Sequence, residues 1–276
     1  MTQSLIVGYG YTGRALASVL QAQRQELIAV QRTARPALDH VPTLVADLAL
    51  GPISSSMLPS SLGTVYYLVS AAERTEAAYR TAYVEAYNNL LRGLGGGVSV
   101  RRHVFVSSTA VYGDLNGAWC DEETPAAGSD VFACILREGE RICFEHGGVV
   151  VRLGGIYGPT RTRLLNQLRD GALTLPATGD VFTNRIHRDD AARCLAHIAA
   201  LDAPAEIYLG VDCDPVSYSA LCDELADFLH VPRPTRSADA TIPRRGSKRC
   251  RNTRLLASGF TFTYPTFREG YAALLR

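Results

Sequence analysis

The chain has 276 residues, of which 47% are hydrophobic and 20% charged, and its formal net charge is +1. That composition describes a globular protein with room for a sizeable core, as one large domain or a domain with an appended lobe. The near-neutral balance carries no basic excess for nucleic acid or an anionic membrane surface, and no apolar run reaches membrane-spanning length.

Leu5-Ile6-Val7 is an apolar run that predicts a buried strand. Ala15, Leu16, Val19 and Leu20 then fall on one face of a helix. Between them Gly8, Gly10 and Gly13 have the spacing G-x-G-x-x-G. A dinucleotide-binding turn needs glycine at each of these points: for the tight turn, for close approach of the backbone to a pyrophosphate, and for packing of helix on strand. The helix N-terminus then offers N–H groups, including those of Tyr11 and Thr12, to the phosphates. A second strand, Glu26 to Val30, ends in Gln31-Arg32, with Arg35 beyond. Where this strand meets the adenosine ribose, an acid accepts from the 2′-OH of NAD and an arginine accommodates the 2′-phosphate of NADP. Arginine without an acid points to NADP, with NAD as the alternative.

Leu44-Val45-Ala46, ending in Asp47-Leu48, predicts a third strand, and Val65 to Val69 a fourth, closed by the small residues Ser70-Ala71-Ala72. Small side chains there let a cofactor lie across the strand ends. Thr75 to Leu94 predicts a long helix. Val104-Phe105-Val106 predicts a fifth strand running into Ser107-Ser108-Thr109-Ala110-Val111-Tyr112-Gly113, which places hydroxyl groups at the ligand-binding edge of a parallel sheet. A helix near Asp130 to His146 and a sixth strand, Val149 to Val151, complete the alternation, which predicts a doubly wound parallel α/β sheet. Beyond it, helices are expected near 160–171, 189–201 and 217–230, with a short strand at Glu206 to Leu209. Pro232 to Lys248 reads as an exposed loop. The expected division is a Rossmann-type dinucleotide-binding domain over 1–155 and a C-terminal substrate lobe over 156–276 that completes the sheet in one compact unit.

The seven cysteines are scattered, odd in number and without a Cys-x-x-Cys pair, as expected for reduced thiols in a cytoplasmic protein. The six histidines lack ligand spacing, so no metal is expected. The first strand begins too near Met1 to leave room for a signal peptide. Of 28 basic residues only Lys248 is a lysine.

Together these stretches resemble the extended short-chain dehydrogenase/reductase family, the NAD(P)-dependent epimerase/dehydratase group. The resemblance rests on the glycine turn, Val106 to Gly113, Asp121-Glu122-Glu123-Thr124-Pro125 and Val151 to Pro159. It continues through Asn184 to Ala191, Tyr208 to Asp212 with Pro215 to Ser217, and the tail from Asn252 to Phe260. It implies that Ser108 hydrogen-bonds the reacting oxygen, that Asp47 meets the adenine with Leu48 beside it, and that Ser70 and Ala71 lie beneath the cofactor. Thr109, Tyr112, Asn184 and Arg185 fall where relatives contact a small-molecule substrate. Relatives often dimerise through the two helices flanking the serine strand, here the helix from Thr75 and the one near Asp130.

One departure is chemical. Active relatives carry a Tyr-x-x-x-Lys pair on the helix after the serine segment, and the positions aligned with it here are Phe132 and Leu136. Phenylalanine cannot exchange a proton, and leucine cannot donate to a ribose hydroxyl. Two functions stay open: an atypical reductase or epimerase-like enzyme, and a non-catalytic NADP(H)-binding sensor. For the enzyme, Tyr112, Tyr157, His187 or water is the proton source to consider. The tyrosines are expected to pack structurally, His187 to cap or position the helix after it, and Lys248 to be solvent-exposed rather than folded back over the cleft.

Overall fold

The computed structural model describes residues 3–33, 41–242 and 246–275; Arg35 lies outside them. Seven parallel strands form the central sheet: β1 (Gln3–Val7), β2 (Leu27–Gln31), β3 (Thr43–Val45), β4 (Ser61–Tyr67), β5 (Ser99–Ser108), β6 (Val149–Leu153) and β7 (Ile207–Gly210). Their order is β7-β6-β5-β4-β1-β2-β3. Strand order reverses between β1 and β4, and a doubly wound sheet opens its ligand crevice at that point.

Both faces of the sheet are buried, so its strands read as continuous apolar runs. Side chains still alternate by face. Ile6, Leu27, Ala29, Val104 and Val151 pack with Leu16, Leu20, Cys194 and Ile198 of helices α1 (Tyr11–Ala22) and α6 (Arg188–Ala200). Leu5, Val7, Ile28, Phe105 and Val150 pack on the other face with Tyr87, Leu90 and Ile135. That face is covered by a helical stretch of α2 (Glu76–Arg80), a π-helical segment at Thr81–Glu85 and α3 (Ala86–Leu94), and by α4 (Val131–Glu145). Asp130 caps α4, its carboxylate accepting from the N–H groups of Phe132 and Ala133 at 3.0 and 3.1 Å.

The second half adds α5 (Arg163–Arg169), α7 (Tyr218–Leu229), α8 (Thr253–Ala257) and α9 (Phe267–Leu274). Leu165, Leu168, Leu221, Leu225 and Phe267 form a separate small core there. Strand β7 comes from this half but lies beside β6 in the main sheet. The segment expected to be an exposed loop is different in its described part. Thr235–Ser237 pairs in parallel with Thr174–Pro176, and Ser247 and Lys248 are buried.

Strand β5 is longer than its apolar centre predicts, because its polar start is held from the side. Arg101 donates to the Ala199 carbonyl at 3.1 Å and Arg102 to those of Ala199 and Ile198 at 2.6 and 3.3 Å, satisfying carbonyls at the end of α6. His103, next in the strand, has its basicity pushed down to about 4, first by burial and then by the charge of His146. Below the ordinary histidine range the unfolded chain therefore takes up a proton that the folded chain refuses. The urea midpoint should fall as pH drops from about 6.5 towards 4, and His103→Leu should flatten the profile across that window. An unchanged slope in the variant would remove His103 as the cause.

Candidate functional site

The glycine turn is built as its residue types demand. Gly8 has φ of +97°, and a Cβ there would lie 2.6 Å from the Leu68 carbonyl carbon and 2.7 Å from the Val69 nitrogen. Only glycine lets the ends of β1 and β4 approach so closely. A Cβ on Gly13 would sit 2.5 Å from the Gly8 carbonyl oxygen, so the third glycine presses α1 against the turn. Gly10 differs: a Cβ there meets nothing within 4 Å. It caps α1 with no side-chain hydrogen bond. The open side of the turn, where a pyrophosphate would approach, is thus the side facing Gly10 and the first N–H groups of α1.

Two cations flank this end of the helix. The guanidinium carbons of Arg161 and Arg188 lie 4.2 and 5.2 Å from the centroid of the Tyr11 ring. The Tyr11 hydroxyl donates to the Pro159 carbonyl at 2.7 Å, tying the turn to the Tyr157-Gly158-Pro159 segment. Burial pushes the Tyr11 phenol up. Nothing in the spacing of the sequence brings Arg161 and Arg188 to Tyr11; the fold does. Thr12, half-buried, sits in the first turn of α1.

Arg32 is exposed just past the end of β2. Asp47 follows β3, its carboxylate accepting from the Ala49 N–H at 3.0 Å. Leu48 is buried, and its carbonyl accepts from Asn89 at 2.7 Å, so a buried amide on α3 fixes this turn from below. Ser70 and Ala71 lie past the end of β4, Ser70 exposed and Ala71 half-buried.

Ser108 ends β5 half-buried, and its Oγ accepts from the Ala110 N–H at 3.2 Å, capping the turn Thr109–Tyr112. Accepting at Oγ leaves the hydroxyl proton as a donor. Thr109 is buried. Beneath this segment lies a closed polar network. Arg152 makes a bidentate pair with Glu140, Nε to Oε1 at 3.0 Å and Nη2 to Oε2 at 2.7 Å. Its Nη1 donates to the Tyr112 hydroxyl at 2.8 Å, and that hydroxyl donates to the Asp121 carbonyl at 2.7 Å. Ser107 donates to Glu140 at 2.5 Å. Tyr112 is therefore 1% exposed with its proton committed, in line with a structural role.

Asn184 is spent in a similar way. Its amide nitrogen donates to the Lys248 carbonyl at 3.0 Å and its oxygen accepts from the Cys250 N–H at 2.7 Å. Arg185 is half-buried, 3.4 Å from the Tyr271 hydroxyl. His187 caps α6 as expected, its Nδ1 accepting from the Asp189 N–H at 3.2 Å. Tyr157 is buried and stacked on Tyr271 with centroids 4.5 Å apart.

Lys248 overturns its expectation. It is 3% exposed rather than solvated, and its Nζ donates to the Gly113 carbonyl at 2.8 Å, at the end of the serine segment. Burial pushes its basicity down. The flanking Arg and Ser residues suggested a loop, but the long-range contact with Gly113 has no signature in local composition. On α4, Phe132 is half-buried, its ring 4.7 Å from Tyr79 and beneath the Arg74 guanidinium at 4.5 Å, while Leu136 is buried in the core.

Residues 4–209 match the family model described as "NAD dependent epimerase/dehydratase family". Among curated proteins none matches. A solved structure of a putative NAD-dependent epimerase/dehydratase from Methylobacillus flagellatus is 34% identical, with TM-score 0.81 over 99% of this chain and 97% of that one. The human epimerase family protein SDR39U1, solved with NADPH, is 20% identical, with TM-score 0.80 over 98% of each chain. UDP-glucuronic acid 4-epimerase from Bacillus cereus, solved with UDP-glucuronic acid and NAD, is 16% identical, with TM-score 0.82 over 99% of this chain and all of that one. The last two likenesses are of fold. The domain match and the Methylobacillus relative carry more: this chain belongs to the NAD-dependent epimerase/dehydratase family.

Proposed function

We propose that the chain binds NADP(H), with NAD(H) as the alternative, and acts on a small-molecule substrate as an oxidoreductase or epimerase-like protein. The carrying observation is the turn itself, packed solid behind Gly8 and Gly13 and open at Gly10. Gly8, Gly10, Tyr11, Thr12 and Gly13 hold the pyrophosphate, Asp47 and Leu48 flank the adenine, and Ser70 and Ala71 lie under the cofactor. The cofactor, when bound, supplies two-electron redox chemistry. Ser108 donates to the substrate oxygen, with Thr109 and Arg185 at the substrate; Tyr112 and Asn184, expected there, act through the scaffold. Residues 1–155 form the cofactor half and 156–276 the substrate half of one unit. A cytoplasmic location and a homodimer through α2–α3 and α4 complete the reading.

A second reading, a non-catalytic NADP(H)-binding sensor, is favoured by the apolar side chains of Phe132 and Leu136 on α4. Titration with NADPH and NADH followed by a substrate screen separates the two: tight binding without turnover across sugars, ketones and aldehydes selects the sensor, and no binding of either nucleotide removes both. Arg32→Ala should weaken NADPH by about 10-fold or more, the loss of a charge-assisted contact, and leave NADH unchanged. Equal losses would show that Arg32 does not meet the 2′-phosphate.

A further inference from the structure

Cys120 and Cys250 stand 130 residues apart in the chain but face each other across two parallel strands, Trp119–Cys120 and Arg249–Cys250, in which they are register partners. Their Sγ atoms are 3.5 Å apart, and the residues are 2% and 1% exposed. Backbone bonds on both sides hold them in place: Arg249 N–H to the Ala118 carbonyl and Arg251 N–H to the Cys120 carbonyl, each at 2.9 Å. The hydrogen bond with Cys250, and then the Lys248 ammonium, hold the Cys120 thiol below its usual range, while Cys250 is pushed up. One sulfur poised as nucleophile beside a protonated partner is the asymmetry that favours thiol–disulfide chemistry. The paired strands are two residues each, and Trp119, the strand neighbour of Cys120, is 44% exposed, so a small local opening of this pair would admit a small reagent.

We propose that Cys120 and Cys250 are a modification site, a dithiol that a hydroperoxide closes to a disulfide. The Cys120 thiolate attacks one peroxide oxygen; the O–O bond breaks, leaving Cys120 sulfenic acid and a hydroxide that takes up a proton. The Cys250 sulfur loses its proton and attacks the Cys120 sulfur; the S–O bond breaks and water leaves. One hydrogen peroxide is reduced to two waters, and each sulfur gives up one electron. The bond fastens the segment around Lys248, which holds the Gly113 carbonyl, to the stretch after Ser108–Gly113. A dithiol reductant reverses it.

The test treats the full-length protein with hydrogen peroxide, alkylates remaining thiols under denaturing conditions and maps peptides without reduction. The expected product is a single Cys120–Cys250 crosslink, two hydrogens lighter than the dithiol and reversed by dithiothreitol. It should raise Tm by about 5 °C or more, because it closes a long loop. The exposed thiols Cys134 and Cys213 are the competitors. A Cys134→Ser/Cys213→Ser variant, which leaves the buried pair untouched, should give the same crosslink, and Cys120→Ser or Cys250→Ser should abolish it. Recovery of Cys120 and Cys250 as alkylated thiols while Cys134 or Cys213 is oxidised would overturn the proposal. So would pairing of either buried cysteine with another partner. None of these outcomes depends on nucleotide binding.

Discussion

Arg152→Met is expected to lower stability by about 3–5 kcal/mol, the cost of leaving a buried carboxylate without its cation. Glu140 is 2% exposed and Arg152 4%, and among the described residues the Ser107 hydroxyl and this guanidinium are the side chains bonded to that carboxylate. Methionine keeps much of the volume and none of the charge. Tm should fall by roughly 10 °C for a chain of this size. The double variant Glu140→Met/Arg152→Met should be nearer to wild type than either single change, because a buried ion pair is worth little against an apolar replacement once neither charge is stranded. Urea unfolding of the four proteins gives the coupling energy directly. A single-variant loss below about 1 kcal/mol would mean that water reaches Glu140. The network also holds the Tyr112 hydroxyl, so the same variant should loosen the Ser108–Gly113 segment and weaken nucleotide binding beyond what global stability explains.

How far the sequence foretells this arrangement depends on the range of each contact. The sheet was legible because most of its strands are short apolar runs, and β1, β2, β4 and β6 bury nearly every residue. The start of β5 was not, since its arginines are held by carbonyls of α6, about 100 positions away. Helix ends were legible where a side chain caps its own helix, as Asp130 and His187 do. The glycine turn carries its own signature, but the cations beside it do not. Arg161 and Arg188 reach Tyr11 only through the fold. Lys248 is the sharpest case. A lysine among Ser, Arg and Pro predicts solvent, and only the folded chain shows its ammonium on Gly113. Phe132 and Leu136 are legible as apolar positions of α4, but the Tyr79 ring and the Arg74 guanidinium that lie against Phe132 are not written in any local pattern.

The glycine turn offers a test that separates holding a nucleotide from holding the fold. Gly8→Ala should do both kinds of harm. Its Cβ would meet the Leu68 and Val69 backbone within 2.7 Å, and its φ of +97° is one that alanine rarely adopts. We expect a Tm loss of several degrees and NADPH affinity reduced by about 100-fold or more. Gly10→Ala should behave differently. Its φ is −98° and its Cβ points into open space, so the protein should fold with a Tm close to wild type. The new methyl group stands where a pyrophosphate must approach the backbone, and NADPH should bind at least about 10-fold more weakly. Thermal melts and fluorescence titration of both variants read the two effects apart. Wild-type affinity in Gly10→Ala would mean that the nucleotide does not lie against this face of the turn, and the assignment of Gly8, Gly10 and Gly13 as a phosphate cradle would fall with it. A loss confined to affinity would place the ligand on the open side of the turn, beside Tyr11 and its two arginines.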